Sequence, residues 1–358
     1  MIDRKTTPAE SSNLDLLRSV AVLLVLIDHT LRFLSVVPED SFFRPLGRWA
    51  VLLFFVHTAL VLMLSLERQA ASEYVHGYRV FMLRRCLRIY PAALVVIALV
   101  CVLQLPLGHF DLGVFLPASF DARTILSNVF LVQNLTGSES VLEPLWSLPY
   151  ELQMYLVLPA LFWLCRAARP LAGPLHTALP IGAWLLGAGA VELAEKVWGS
   201  GLTIYVPCFL AGVVAYQLWG ARRRLPAAAW PVCLLLTTLA YMAHPGLHSG
   251  WLACLLVGCL VVQCKELTFR PLCRACQLVA RYSYGVYLTH GICIWFALDA
   301  LSLLPAPLRW SLFIVLTVTT PVFLYHLVEA PLIGDGSRFV TRWAKRRVEP
   351  GEARLQFG

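Results

Sequence analysis

Long apolar runs separated by short basic stretches leave this chain few ways to fold. Val20–Ile27, Val51–Leu64, Ala92–Leu103 and Leu312–Leu324 are almost free of charge, and arginines gather between them. That is the pattern of helical membrane spans joined by loops. Only 14% of the 358 residues are charged, against about a quarter in a soluble domain, and the mean hydropathy is +0.71. The strict apolar–polar alternation of an outer-membrane barrel is absent. Lipid offers backbone groups no partner, so helices are the expected element.

The expected fold is therefore an all-α, polytopic bundle of about ten spans. They fall near residues 16–37, 47–66, 89–107, 145–165, 175–193, 202–219, 227–243, 247–264, 282–303 and 310–330. Placing the N-terminus in the cytoplasm leaves six of the 29 Lys and Arg outside: Arg32, Arg44, Arg48, Arg123, Lys196 and Arg309. Such a bias is what the positive-inside rule requires of an even number of spans with both termini cytoplasmic. Topology accounts for the net charge of +8, and no nucleic-acid partner is needed. The first apolar run contains Arg18, Asp28, His29 and Arg32 without a following small-residue cleavage site, so it reads as a span rather than a removable signal. Residues 1–335 form the expected transmembrane domain and 336–358 a basic cytoplasmic tail. Gly108–Pro144 is too polar to span and reads as a folded outer loop with short helices that dips toward the membrane. Most of the eleven cysteines lie in apolar runs and act as small hydrophobes. The lone Cys273-x-x-Cys276 lacks a second ligand pair, so no metal site is expected.

The charged groups of the first span carry the chemistry. Eleven steps at ~100° separate Arg18 from His29, which is ~20° from a whole number of turns with a rise of about 16 Å. Both side chains share a face, one near the cytoplasmic edge and one beyond the midplane. A charge deep in a span costs at least ~2.5–3.5 kcal/mol, so this face must look into the bundle or a wet cavity. Snorkelling to lipid phosphate explains Arg18 alone but not the aligned pair. Histidine near neutral pH is the usual general base.

Arg84, Arg85 and Arg88 cluster at the mouth of the third span, with at least two guanidiniums on one face. They suit bidentate contact with a phosphorylated ligand or with anionic lipid headgroups. Trp146-Ser147-Leu148-Pro149-Tyr150-Glu151 opens the fourth span, where Trp146 and Tyr150 fit an interfacial belt. Glu151 needs a cation or histidine as partner, and His29 or Arg32 is expected at its depth. Tyr287 and His290 share a face of the ninth span and are expected to line the same cavity. His57, in mid-span, reads as an interhelical hydrogen bond, and Glu329 as a helix-terminal charge.

Taken together, these segments resemble the membrane-bound acyltransferase family 3. Arg18, ten residues and His29 match its first-span hallmark; Phe54-Phe55, Arg84-Arg85-Cys86-Leu87-Arg88, Trp146 to Glu151 and Ser283-Tyr284-Gly285-Val286-Tyr287-Leu288-Thr289-His290 match four more motifs in order. His57-Thr58 stands where the family commonly has Ser-Gly, which puts close backbone packing there in question. The resemblance implies transfer of an acyl group, acetyl being the expected one, from cytoplasmic acyl-CoA to a hydroxyl of a sugar or glycoconjugate. It makes Arg84, Arg85 and Arg88 an acyl-CoA site and His29 a base or transient acyl carrier, with Arg18 and Glu151 assisting and Trp146, Ser147, Tyr150, Tyr287 and His290 lining the cavity. Acyl-CoA is then a substrate and no permanently bound cofactor is expected. The implied location is a bacterial inner membrane. The alternative is a multi-span transporter or flippase, which would favour paired repeats around a midplane site; none is visible in the sequence.

Overall fold

The computed structural model describes residues 11–34, 38, 41–70, 77–105, 107–109, 114–116, 120–172, 178–220 and 224–334. The expected tail 336–358 lies outside the described residues. In chain order the helices are α1 (Ser12–Phe33), α2 (Leu46–Ala70), α3 (Gly77–Leu103), short α4 (Ala122–Val129) and α5 (Gln133–Thr136), then α6 (Leu148–Ala172). They continue with α7 (Ala178–Trp198), α8 (Val206–Leu218), α9 (Ala229–Ala243), α10 (Leu247–Gln263), α11 (Arg270–Ile294) and α12 (Ala306–Leu324). Each of the ten expected spans falls on one of these helices.

Their capacity to cross a bilayer differs. Five stretches, Leu46–Ala70, Tyr78–Leu103, Glu143–Ala168, Ala178–Trp198 and Ala306–Gly334, are long and apolar enough by themselves. α8, α9 and α10 are apolar but only 13, 15 and 17 residues long, short of the roughly 20 that hydrocarbon requires. α1 and α11 have the length, 22 and 25 residues, but carry charges along it.

Burial sorts the helices into centre and rim. The apolar window of α2 is 83% buried, whereas that of α12 and its extension is only 11% buried. Outer helices expose large side chains, such as Leu186 on α7, Val102 on α3 and Phe323 on α12, as lipid-facing surfaces do. At the centre, α1 packs on α2 and α11, and α2 on α8. The close approach left open by His57-Thr58 is present, and α8 makes it possible. A Cβ on Gly212 would lie 2.4 Å from the Val56 carbonyl oxygen and 2.7 Å from Ala59 Cβ. A small residue on one helix is enough to bring two backbones together.

α1 and α11 run parallel, as the contacts of Ser19 Oγ with Cys276 O (2.8 Å) and, ten residues further along α1, of His29 with His290 show. A polar knot fixes their lower ends. Asn13 donates to the Lys265 carbonyl, accepts from Leu267 N at 3.1 Å, and its own carbonyl accepts from Trp230 Nε1 at 3.0 Å. We call the end where α1 starts basal and the end where it finishes upper.

Two helices begin earlier than the hydropathy implies. α3 starts at Gly77 rather than near 89, and α11 at Arg270 rather than near 282. Hydropathy registers only apolar turns, while these helices continue through charged ones. Pro91 consequently lies inside α3, and Arg84, Arg85 and Arg88 sit on the helix rather than at its mouth.

The stretch between α3 and α6 holds the short helices expected, and also a two-stranded antiparallel hairpin that was not. It pairs β1 (Leu107–His109) with β2 (Val114–Leu116), Gly108 opposite Phe115. Asp121 caps α4 by accepting from Thr124 N at 2.8 Å. Fully buried Asn128 donates to the Glu139 carbonyl at 2.8 Å and accepts from Val141 N at 3.0 Å. Gln133 Nε2 donates to the Leu145 carbonyl at 2.9 Å. Together they set the 3₁₀ turn Glu143–Ser147, which enters the bundle against α11.

Candidate active site

Two cavities lie back to back along α1, and its two conspicuous residues open into different ones. Arg18 lines a basal cavity of about 790 Å³ of atom-free space, together with His57, Arg85, Arg88, Glu151 and Tyr155. His29 lines an upper cavity of about 870 Å³, together with Asp28, Arg32, Glu143, Trp146 and Tyr205. Val51 and Tyr287 belong to both walls. The ring of Tyr287 is held in that position by a 2.7 Å hydrogen bond between its hydroxyl and Ser147 Oγ.

The basal cavity is cationic. Arg18 Nε donates to Ser283 Oγ at 2.6 Å, and Ser283 in turn donates to the Ala280 carbonyl at 2.9 Å. Arg85 reaches Ser65 Oγ at 3.5 Å and lies 5.5 Å from the centre of the Phe81 ring. Its Nε is buried with no hydrogen-bond partner among the described residues. Glu151 is the one carboxylate on this wall among the described residues and accepts from the Tyr155 hydroxyl. Glu329, 5% exposed on the π-helical turn Tyr325–Glu329 that extends α12, feels the charges of Arg18 and Arg88. It is thus an interior carboxylate rather than a charge at the edge. Buried guanidiniums held by neutral partners suit a polyanionic ligand.

In the upper cavity charge is balanced locally. Arg32 Nε meets Asp28 Oδ2 at 2.8 Å, one helical turn apart. Asp28 and Glu143 approach His29 Nε2 at 3.9 and 4.0 Å. His29 Nδ1 lies 2.7 Å from His290 Nε2, with the rings stacked at 4.9 Å and inclined by 23°. Gly47 at the start of α2 leaves room for this arrangement, since a Cβ there would fall 2.3 Å from Asp28 Oδ2. Trp146 and Tyr205 pack together at 5.4 Å on the opposite wall.

These positions revise part of the expected site. Glu151 does not reach His29 or Arg32, because α6 starts inside the bundle after the inserted 3₁₀ turn and carries Glu151 to the arginines. The carboxylates near His29 are Asp28 and Glu143. Of the arginine cluster, Arg85 and Arg88 line the basal cavity and Arg84 does not. The two guanidiniums of the cluster that share this wall are therefore Arg85 and Arg88, three residues apart. Trp146, Ser147 and Tyr287 are cavity walls, Trp146 of the upper cavity, Ser147 of the basal one and Tyr287 of both. Tyr150 and His290 are not: Tyr150 packs behind Tyr205 at 4.9 Å, and His290, 1% exposed, stands behind His29. His57 faces the basal cavity and makes no hydrogen bond among the described residues, contrary to its expected interhelical bond. The Asp28–Arg32 pair was legible from its spacing, whereas Glu143 had no local signal.

No curated protein and no solved structure matches this chain. A sequence profile of an acyltransferase domain, that of acyltransferase family 3, matches residues 11–326, nearly the whole length. The cationic cavity, the cavity around His29 and the helices that form them all lie within that match, except Glu329 just beyond its end, and the chain belongs to acyltransferase family 3.

Proposed function

We propose that this protein is an integral membrane O-acyltransferase that takes an acyl group, acetyl in the simplest case, from acyl-CoA in the basal cavity. It places that group on a hydroxyl of a sugar or glycan in the upper cavity. The observation that carries the reading is the shared wall: two chemically distinct cavities meet at Val51 and Tyr287, so a thioester from one side and a hydroxyl from the other can come together there. With the basal end cytoplasmic, as the positive-inside rule assigns it, the donor enters from the compartment that holds acyl-CoA. The chain then crosses the membrane about ten times, with both termini cytoplasmic.

Arg85 and Arg88 bind the phosphates of the donor, and Arg18, fixed by Ser283, lines the same cavity. On the acceptor side, Trp146 and Tyr205 offer apolar faces to a sugar ring, and Glu143 and Arg48 offer polar contacts. His29 accepts the hydroxyl proton as the oxygen attacks the thioester carbonyl carbon. The C–O bond forms, the C–S bond breaks, and the proton returns from His29 to the departing thiolate. An acyl-histidine route uses the same residue as nucleophile, with one extra transfer.

The test is acyl transfer by the full chain in proteoliposomes, with labelled acetyl-CoA outside and a glycan acceptor inside. His29→Ala should lower kcat by about 10²–10⁴ while leaving acetyl-CoA binding intact. Retention of activity within about tenfold would sink the catalytic reading.

A further inference from the structure

The contact between His29 and His290 fixes more than a distance. Two neutral imidazoles 2.7 Å apart share one proton, and the far side of His290 decides whose it is. His290 Nδ1 lies 2.9 Å from the Tyr287 carbonyl oxygen and 3.1 Å from that of Val286. Carbonyls have no proton to give, so Nδ1 of His290 carries the hydrogen. A neutral imidazole has one N–H, and at 1% exposure the neutral form spares the site a further buried charge. Nε2 of His290 is then a lone pair, and the bond to His29 must run from His29 Nδ1–H. This leaves His29 Nε2 unprotonated, on the side where Asp28 and Glu143 approach it at 3.9 and 4.0 Å.

We propose that His290 is a positioning residue: anchored on two carbonyls of α11, it locks His29 as the Nδ1–H tautomer and aims the basic Nε2 at the acceptor hydroxyl in the upper cavity. The proposal rests on the reading of His29 as the base. The opposite tautomer would present an N–H to that hydroxyl and could not take its proton. After proton uptake, Nδ1–H of the imidazolium still donates to His290, so a single proton moves and returns. The stacking of the rings holds the plane of His29 through the cycle. In the acyl-histidine route the same lock leaves the nucleophilic lone pair on Nε2.

The direct test reads the tautomer. Solid-state ¹⁵N NMR of histidine-labelled full-length protein in proteoliposomes, with the His29 signals identified by their loss in His29→Gln, should show a protonated Nδ1 and a bare Nε2. A protonated Nε2, alone or in an imidazolium, overturns the proposal. The kinetic test compares two replacements of His290. His290→Phe keeps an aromatic ring without an acceptor and should lower kcat about 100-fold with KM for acetyl-CoA within about threefold. His290→Gln restores an acceptor oxygen and should recover to within about tenfold of wild type. Wild-type kcat in folded His290→Phe, or no recovery in folded His290→Gln, overturns the proposal. If neither variant folds, the spectrum of the unmodified protein decides. Wild-type turnover by His29→Gln would instead remove the base reading on which the proposal depends, whatever the tautomer.

Discussion

The two cavities solve the problem of buried charge in opposite ways. Around Asp28, Arg32, His29 and Glu143, acid and base are adjacent, and the Asp28–Arg32 contact closes a pair one helical turn long. Around the basal cavity Arg18 and Arg85 rest on serine hydroxyls and an aromatic ring, Glu151 is already engaged by Tyr155, and Glu329 is shared between the charges of Arg18 and Arg88. Burying a cation without a counter-ion costs several kcal/mol. With three arginines against two carboxylates, the basal region would, on the proposed reading, be stabilised by the anion it binds. The upper cavity pairs its acids with bases and suits a polar guest, whereas the basal cavity carries an excess of cations and suits an anionic one. Under the proposed function, that contrast would separate a donor carrying phosphates from an acceptor carrying hydroxyls.

The largest effect that could break this contrast comes from the arginines. Arg85→Ala and Arg88→Ala should each raise KM for acetyl-CoA about 10–100-fold, the loss of a charged hydrogen bond, and leave acceptor KM unchanged. A matching loss on the acceptor side would show that the cavities do not divide the substrates. The two glutamates sharpen the same point at about tenfold or less. Glu151→Gln should alter the donor KM alone, whereas Glu143→Gln should lower kcat and weaken the acceptor. Smaller still, Tyr287→Phe removes the bond to Ser147 and should change transfer only a few-fold, while raising acyl-CoA hydrolysis as water passes the loosened wall. The smallest effect concerns the loop that carries Glu143. Hydrogen bonds from the Thr124 side chain and backbone N–H hold the Asp121 carboxyl below its ordinary value. A lowered folded value means that the cap stabilises α4 above the unfolded value and is lost as pH falls through the folded one. Hydrogen exchange across residues 122–129 should quicken in that acid window, and Asp121→Asn should abolish the pH dependence.

Helix identity was legible because the apolar runs are long, and the shared face of Arg18 and His29 followed from helical geometry alone. Arg18 and His29 share a face about three turns apart, and the fold converts that rise into two separate cavities. Helix ends were less legible, because Arg84, Arg85 and Arg88 face the interior and a hydropathy profile treats them as an edge. The expected partner of Glu151 differs for a related reason: its depth was counted from the start of an apolar run, whereas the 3₁₀ turn before α6 already packs against α11. The pairing of His29 with His290 spans 261 positions. His290 could be singled out by type and helix face, but no local rule says which nitrogen meets which. Glu143 depends on Asn128 and Gln133, polar residues that look like ordinary loop until their burial is known.

Gly47 is the position from which much of this can be disturbed with least apparent change. It holds no charge, makes no hydrogen bond with a side chain among the described residues, and sits where α2 begins. Any side chain there would occupy the space of the Asp28 carboxylate, parting it from Arg32 and turning it toward or away from His29. Among random substitutions, then, intolerance should be as sharp at a residue with no functional group as at the histidine itself. A survey that ranks positions by chemical character alone would pass over it.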